Sequence, residues 1–263
     1  MTIHATGQPP GVQEECRIRI AAAGDVHYGG EQDADRARAA FQGLAGRADL
    51  VLLAGDLTTH GEPQQAAILA REASELAVPV VTVLGNHDWH SNRAGEVKAA
   101  LEEGGVVVLD RSHHVVEACG AQVGIVGAKG FVGGFTGSHI PDFGEPLLRQ
   151  VYAQGMEEVE AVDAGLRAVA MCPFRIVLLH YAPTTETLEG ERRDIWAFLG
   201  TDRLAVPILE HAPDLVLHGH AHAGTFAGRV GEVPVYNVSV PVMGEDWWVF
   251  EMTGARRVPS ELH

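Results

Sequence analysis

The sequence predicts an α/β fold, and two patterns lead to that prediction. In the first half of the chain, short apolar runs alternate with stretches of helical periodicity, which is typical of parallel strands joined by helical crossovers. In the last quarter, apolar runs follow one another closely, which favours antiparallel pairing. The chain has 263 residues and shows no repeat, linker or low-complexity tract, so we expect one large domain.

Secondary-structure elements are predicted in the following order. Apolar runs predict strands over 17–24, 50–55, 78–85, 105–109, 122–128, 175–180, 214–219, 223–230, 233–240 and 247–252. Helical periodicity predicts helices over 33–48, 62–77, 92–104 and 145–171, and Pro63 suits a first helical turn. No such pattern precedes residue 15, so we expect a mobile tail over 1–14 and the single domain over 15–263.

The formal charge and the cysteine content narrow the classes of partner and compartment. Lysine and arginine total 19 against 35 acidic residues, and the net charge of −16 argues against a nucleic-acid polymer or an anionic membrane as partner. The 3 cysteines are few, odd in number and far apart, as expected in a reducing compartment. The first residues resemble no signal peptide, and no run of about 18 apolar residues occurs. We therefore predict a cytoplasmic protein.

Five of the predicted strands run directly into aspartate, asparagine or histidine. The residues at these strand ends are Asp25 and His27 for the first strand, Asp56 for the second, Asn86, His87 and Asp88 for the third, His180 for the sixth, and His218, His220 and His222 for the seventh. In open α/β sheets, ligand sites lie just beyond the carboxyl ends of the strands. We therefore expect these side chains to converge on one edge of the molecule.

The types and spacing of these residues indicate bound metal ions. A single Asp or His after a strand is usually a turn or cap residue. Both side chains of an Asp-x-His or His-x-His pair, however, lie on the same side of an extended segment, because strand side chains alternate. Carboxylate, amide and imidazole donors together suit Mn, Fe or Zn, and they are too many for one tetrahedral ion. The pattern favours two ions that share a ligand.

Together these segments resemble the complete motif set of the calcineurin-like metallophosphoesterases. The motifs are Asp25-x-His27, Gly55-Asp56, Gly85-Asn86-His87-Asp88, His180 and Gly219-His220-x-His222. The resemblance implies a four-layer α/β/β/α sandwich in which two mixed sheets are flanked by helices. The chain is also similar to the class III branch of cyclic-nucleotide and glycerophosphodiesterases, in its compact length and in the segment that ends at Asp88.

The resemblance also implies a metal ligand set. One metal ion is held by Asp25, His27 and His222. The other is held by Asn86, His180 and His220, and Asp56 bridges the two. The implied cofactors are two divalent transition-metal ions, with Mn²⁺ or an Fe/Mn pair favoured and Zn²⁺ as the alternative.

Two neighbouring residues complete the implied catalytic machinery. Two ions about 3.5–4 Å apart can share a hydroxide that attacks phosphorus and can clamp the phosphate oxygens. The neutral Asn86 leaves the site positive enough to attract an anionic phosphate. His87 is expected to donate a hydrogen bond or a proton to the leaving-group oxygen. Asp88 either orients the His87 imidazole or serves as a turn residue.

The predicted activity is hydrolysis of a small phosphodiester, such as a cyclic nucleotide or a glycerophosphodiester. The alternatives are a phosphomonoesterase or nucleotidase on the same site, and a non-catalytic scaffold with the same fold. The predicted partner is a small phosphate ester, and a homo-oligomer is left open. Two segments, 127–145 and 181–200, are long enough to carry specificity. The candidate contact residues in these segments are Phe131, Phe135, Tyr181, Arg192, Arg193 and Trp196.

Overall fold

The computed structural model describes residues 15–255, and the tail expected over 1–14 lies outside this range. Most of the strands lie close to the predicted positions. They are β1 (Glu15–Ala23), β2 (Leu50–Ala54), β3 (Val80–Val83), β4 (Val107–Leu109), β5 (Ser112–Ala118), β6 (Ala121–Gly127), β7 (Gly134–Phe135), β8 (Ser138–His139), β9 (Phe174–Leu178), β10 (Leu215–His218), β11 (Ala227–Val230), β12 (Val233–Asn237) and β13 (Trp248–Ala255).

The helices connect these strands and include each of the four predicted ones. They are α1 (Ala34–Gln42), α2 (Pro63–Ser74), α3 (Ala94–Glu103), α4 (Pro146–Ala168), α5 (Trp196–Leu199), α6 (Ala205–His211) and α7 (Val240–Met243). None of the helices in the described range combines the length and the apolar composition that a bilayer crossing requires.

The longer strands form two mixed sheets. One has five strands in the order β13-β1-β2-β3-β4, and the other has six in the order β11-β12-β10-β9-β6-β5. Strands β1 to β4 are parallel, as are β6, β9, β10 and β12, whereas β5, β11 and β13 pair antiparallel at the sheet edges. The parallel crossovers of the first half are therefore confirmed. The last quarter is antiparallel only in part, because β12 pairs parallel with β10.

The two sheets and their helices form four layers. Phe41 of α1, Leu69 of α2 and Leu101 of α3 belong to an apolar cluster on the outer face of the first sheet. Leu166 of α4 and Ile208 of α6 belong to a cluster on the outer face of the second sheet. A third cluster contains buried residues of both sheets and lies between them. This arrangement confirms the α/β/β/α sandwich that the motif resemblance implies.

Strand β5 and the small β7–β8 ribbon were not predicted. Strand β5 lies at the edge of its sheet and is largely exposed, so it lacks a long apolar run. It pairs with β6 through the two-residue loop Cys119-Gly120, whose φ angles of 51° and 74° are those of the tight hairpin turns that favour glycine.

The helices also differ from the prediction, since α1 is shorter and the short helices α5, α6 and α7 were not predicted. Helix α1 ends at Gln42 instead of continuing to residue 48, because glycines follow, and Gly46 has a φ of 69°, which lies outside the helical region. Helix α6 was missed because it has only 7 residues and contains Pro207.

Candidate metal centre

The strand-end side chains come together at one edge, where the carboxyl ends of the parallel strands of both sheets meet. Asp25, His27 and His222 offer donor atoms within 4.8 Å of one another. Asp56, His180 and His220 form a second group, whose donor atoms also lie within 4.8 Å of one another. The two groups correspond to the two ligand sets that the resemblance implies, apart from Asn86, which is described below.

Asp56 belongs to the second group and also lies close to His27 of the first. Its side chain is buried, with 1% of the residue exposed. Oδ1 lies 3.3 Å from Nε2 of His180, and Oδ2 lies 3.9 Å from Nε2 of His27. One carboxylate oxygen therefore faces each group, an arrangement that allows the side chain to bridge two ions.

Asn86 joins the group that contains His180. Its Oδ1 lies 2.9 Å from Nε2 of His180, so an amide oxygen and an imidazole nitrogen face the same point. Asn86 lies at the N-terminal end of the short 3₁₀ turn His87–Trp89, which follows β3 after three residues. This oxygen completes the second predicted ligand set with a neutral donor.

Backbone carbonyls orient two of the imidazoles. Nδ1 of His180 lies 2.8 Å from the carbonyl oxygen of Ala54, and Nε2 of His220 lies 3.1 Å from that of Phe198. A carbonyl can only accept, so each of these nitrogens carries the proton and the other nitrogen presents its lone pair. Burial lowers the pKa of His220 to about 3 and that of His180 well below its usual value. Both rings are therefore neutral, as metal binding requires.

Asp25 links the first group to the last motif. Its carboxylate accepts hydrogen bonds from the backbone N–H of His220, at 2.9 Å, and lies 2.8 Å from Nε2 of His222. Burial raises the pKa of Asp25 to about 6, and the hydrogen bond from His222 opposes that rise. A cation in this group would favour the ionised carboxylate in the same way, because it would supply a larger positive charge.

Four of the predicted ligands have a strained backbone. Asp25, His27, Asp56 and His220 have φ angles of 58°, 46°, 49° and 70°, in the left-handed region. Residues with a side chain seldom adopt this conformation, and it tends to persist where a functional site requires it. These residues lie just after the ends of β1, β2 and β10. The extended geometry predicted for the Asp-x-His and His-x-His pairs is therefore wrong, because the chain turns at these positions.

Gly85 is required because the chain passes very close to Asp56. A Cβ at this position would lie 2.1 Å from Oδ1 of Asp56 and 2.3 Å from its backbone nitrogen. Gly85→Ala is therefore expected to displace the Asp56 carboxylate and to lower the bound metal content, measured by plasma mass spectrometry. Gly95→Ala is the matched control, since nothing lies within 4 Å of its Cβ position on helix α3. Equal metal content in both variants would contradict the expectation.

His87 faces the centre from its rim. Its Nδ1 lies 2.8 Å from the carbonyl oxygen of Thr59, and its Nε2 lies 4.0 Å from Oδ2 of Asp56. The side chain is 43% exposed, so a substrate can reach Nε2. The donor atoms of His27, Asp56 and His87 also lie within 4.8 Å of one another. The structure thus allows His87 two roles, as the predicted leaving-group donor or as a further ligand.

Asp88 connects the loops that follow β2 and β3. Its buried carboxylate accepts hydrogen bonds from the N–H groups of Leu57, Thr58 and Gly85 and from the Thr58 hydroxyl, at 2.7–3.2 Å. Burial and the Asp56 charge raise its pKa to about 6. Of the two roles predicted for Asp88, these contacts favour that of a turn residue. The His87 imidazole is oriented instead by the carbonyl of Thr59.

The remaining histidine of the last motif lies behind the centre. His218 is fully buried, and its Nε2 lies 2.8 Å from the Thr187 hydroxyl oxygen. Its Nδ1 lies 2.8 Å from the carbonyl oxygen of Gly219, so both ring nitrogens contact the protein. It belongs to neither ligand group.

A cavity of about 220 Å³ opens beside the centre. It is lined by Asn86, Trp89, Asp110, Arg111, Lys129, Phe131, Gln154, Glu158 and Tyr181. Phe131 and Tyr181 are predicted substrate contacts, whereas Lys129 was not predicted from the sequence. Its position in the sequence could have indicated it. Lys129 lies two residues after the end of β6, and the predicted metal ligands likewise lie just after the ends of their strands.

Clustered carboxylate, amide and imidazole donors at the strand ends of a four-layer sandwich define a metal-binding α/β protein. Residues 18–224 match the family model of the calcineurin-like phosphoesterases. The chain belongs to that family, whose members typically bind two metal ions.

Solved structures of low sequence identity share this fold. Phosphopantetheinyl hydrolase from Mycobacterium tuberculosis is 18% identical, with a TM-score of 0.62 over 84% of this chain and 88% of that one. A Staphylococcus aureus protein provisionally described as a 5′-nucleotidase is 15% identical, with a TM-score of 0.57, and the match covers 94% of this chain and 56% of that one. Yellow lupin purple acid phosphatase is 14% identical, with a TM-score of 0.52, and the match covers 87% of this chain and 45% of that one. A comparison with curated proteins found no match.

Proposed function

We propose that the protein hydrolyses a small phosphodiester with two metal ions. The observation that carries this proposal is the position of Asp56, which directs one carboxylate oxygen toward each of two donor groups. Asp25, His27 and His222 would hold one ion, and Asn86, His180 and His220 the other. Manganese or an iron–manganese pair is favoured because the donors mix oxygen and nitrogen, and zinc is the alternative.

The donor set suits the binding of an anionic phosphate. Two divalent ions would polarise the phosphate oxygens and make water a nucleophile near neutral pH. Asp25 and Asp56 are the carboxylates of the set, and Asn86 is neutral, so the charge of the ions is only partly cancelled. His87 reaches the rim of the same centre, where its Nε2 can donate to the oxygen that leaves.

The preference for a diester rests on the similarity to the class III branch, and the substrates proposed are a cyclic nucleotide or a glycerophosphodiester. A phosphomonoester is the second candidate, because two proteins that share the fold are described as a 5′-nucleotidase and an acid phosphatase. We also propose a cytoplasmic location and no nucleic-acid polymer as partner, consistent with the net charge of −16.

Removal of metal tests the proposed function. Protein treated with EDTA and then freed of the chelator is expected to lose hydrolysis of bis(p-nitrophenyl) phosphate, and added Mn²⁺ is expected to restore it. The same preparations are assayed with p-nitrophenyl phosphate, and faster turnover of that monoester would favour the second candidate. Full activity in stripped protein that contains excess EDTA would rule out the two-metal proposal, and no turnover under any condition would favour the scaffold.

A further inference from the structure

Lys129 places a positive charge in the cavity beside the metal centre. Its backbone carbonyl accepts hydrogen bonds from the N–H groups of His180 and Tyr181, both at 3.0 Å. The backbone of Lys129 is therefore hydrogen-bonded directly to that of His180, a predicted metal ligand. Its side chain lines the same cavity as Asn86, which belongs to the second ligand group. A substrate bound at the centre through its phosphate can extend into this cavity.

The ammonium group of Lys129 uses little of its hydrogen-bonding capacity on the protein. Nζ donates to the carbonyl of Gly130 at 3.2 Å. It lies 4.4 Å from the centre of the Phe131 ring and 5.1 Å from that of Tyr181. Among residues 15–255, no carboxylate oxygen lies within 4.0 Å of this nitrogen. An ammonium has three donors, so two of them can serve a ligand.

The other cation of the cavity is already paired. Arg111 donates to the carboxylate of Glu157, and its Nε lies 3.7 Å from Asp110 and 4.0 Å from Glu158. The Glu158 carboxylate in turn accepts a hydrogen bond from the N–H of Gly130 at 2.9 Å. Lys129 is therefore the cavity cation whose donors are free to meet a ligand.

We propose that Lys129, Phe131 and Tyr181 form a subsite that binds a second anionic group of the substrate. This group is an oxyanion, either a carboxylate or a phosphate, on the portion of the molecule that is esterified to the scissile phosphate. The ammonium group contacts the oxyanion, and the two rings cover the apolar carbon atoms that carry it. The cavity of about 220 Å³ is smaller than the roughly 300–1,000 Å³ typical of sites for drug-sized ligands, so the group is compact.

The inference rests on the proposed function, since it places the phosphate at the metal centre. It is tested by calorimetric binding of non-hydrolysable ligands to the Mn²⁺-loaded protein. The ligands are 4-carboxybenzylphosphonate and its neutral isostere 4-carbamoylbenzylphosphonate. The bis-phosphonate with a second phosphonate in place of the carboxylate shows which oxyanion binds better. Hydrolysis of bis(p-nitrophenyl) phosphate is measured on the same preparation.

The wild-type protein is expected to bind the carboxylate about 10- to 100-fold more tightly than the amide, because a hydrogen bond to a charged group is stronger than one to a neutral group. In Lys129→Met the preference is expected to fall below about threefold, while affinity for the amide and the metal content stay unchanged. Lys129→Gln, which keeps a polar side chain, is expected to give the same result. In the control Arg111→Met the preference is expected to remain.

Three results would overturn the subsite. They are equal binding of carboxylate and amide by the wild type, equal loss of both ligands in Lys129→Met, and loss of the preference in Arg111→Met alone. The second result would place Lys129 on the phosphonate that both ligands share, or in a structural role. If the wild type hydrolyses bis(p-nitrophenyl) phosphate without preferring the carboxylate, only the subsite is wrong. If it neither hydrolyses the diester nor binds any phosphonate, the proposed function itself fails.

Discussion

Asp56→Asn is expected to abolish measurable hydrolysis and to lower the content of both metal ions. The carboxylate directs Oδ1 toward His180 and Oδ2 toward His27, so its loss weakens both donor groups at once. The rate loss should exceed the roughly 10–100-fold that removal of an outer-sphere partner causes. Asn86→Ala is expected to have a smaller effect, since it removes one neutral ligand from one ion. Metal content by plasma mass spectrometry and turnover of bis(p-nitrophenyl) phosphate measure both effects.

The control for this comparison is Asp163→Asn on helix α4. Asp163 also lies beside a histidine, His211, at 2.7 Å, but in a group away from the strand ends. This variant is expected to keep the metal content and activity of the wild type. A larger loss of metal in Asn86→Ala than in Asp56→Asn would contradict the assignment of Asp56 as the bridge.

His87→Ala is expected to lower the rate in a way that depends on the leaving group. Loss of a general acid or hydrogen-bond donor costs roughly 10²–10⁴-fold for an alkoxide leaving group, which needs a proton. A nitrophenolate departs without one, so the defect should be small for bis(p-nitrophenyl) phosphate and large for an alkyl or cyclic-nucleotide diester. The metal content is expected to stay near that of the wild type.

His90→Ala is the matched control for His87→Ala. His90 is the exposed histidine that caps the same 3₁₀ turn, and no role is assigned to it. It is expected to keep the wild-type rate on both substrates. Loss of a metal ion in His87→Ala would identify His87 as a ligand, as its group with His27 and Asp56 allows. An equal defect on both substrates with the metals retained would mean that His87 positions the phosphate instead.

Most of the central fold could be predicted because its signals are local. The buried strand β2, for example, is a continuous apolar run, and a polar residue follows it two positions later. Strand β5 could not be found in this way because its stability comes from pairing with β6 at a sheet edge, which leaves no long apolar run. Helix α6 was missed because a segment of 7 residues is stabilised by tertiary packing more than by its own periodicity.

The roles of individual site residues depended on contacts between distant parts of the chain. Asp88 follows His87 directly in sequence, yet its carboxylate binds the N–H groups of Leu57 and Thr58 on another loop. The carbonyl that orients the His87 ring belongs to Thr59. Adjacency in sequence therefore gave no reliable guide to which group acts on which imidazole.

The sequence by itself determined the identity of the donor residues and their position at strand ends, because both follow from local order along the chain. Only the tertiary structure decided how these residues are arranged. The close approach of Gly85 to Asp56 and the left-handed backbone at Asp56 direct its two oxygens toward separate groups. The packing of Lys129 against Phe131 and Tyr181 likewise joins residues from two different strand ends. Such arrangements arise from backbone geometry and from contacts far apart in sequence, which local patterns do not encode.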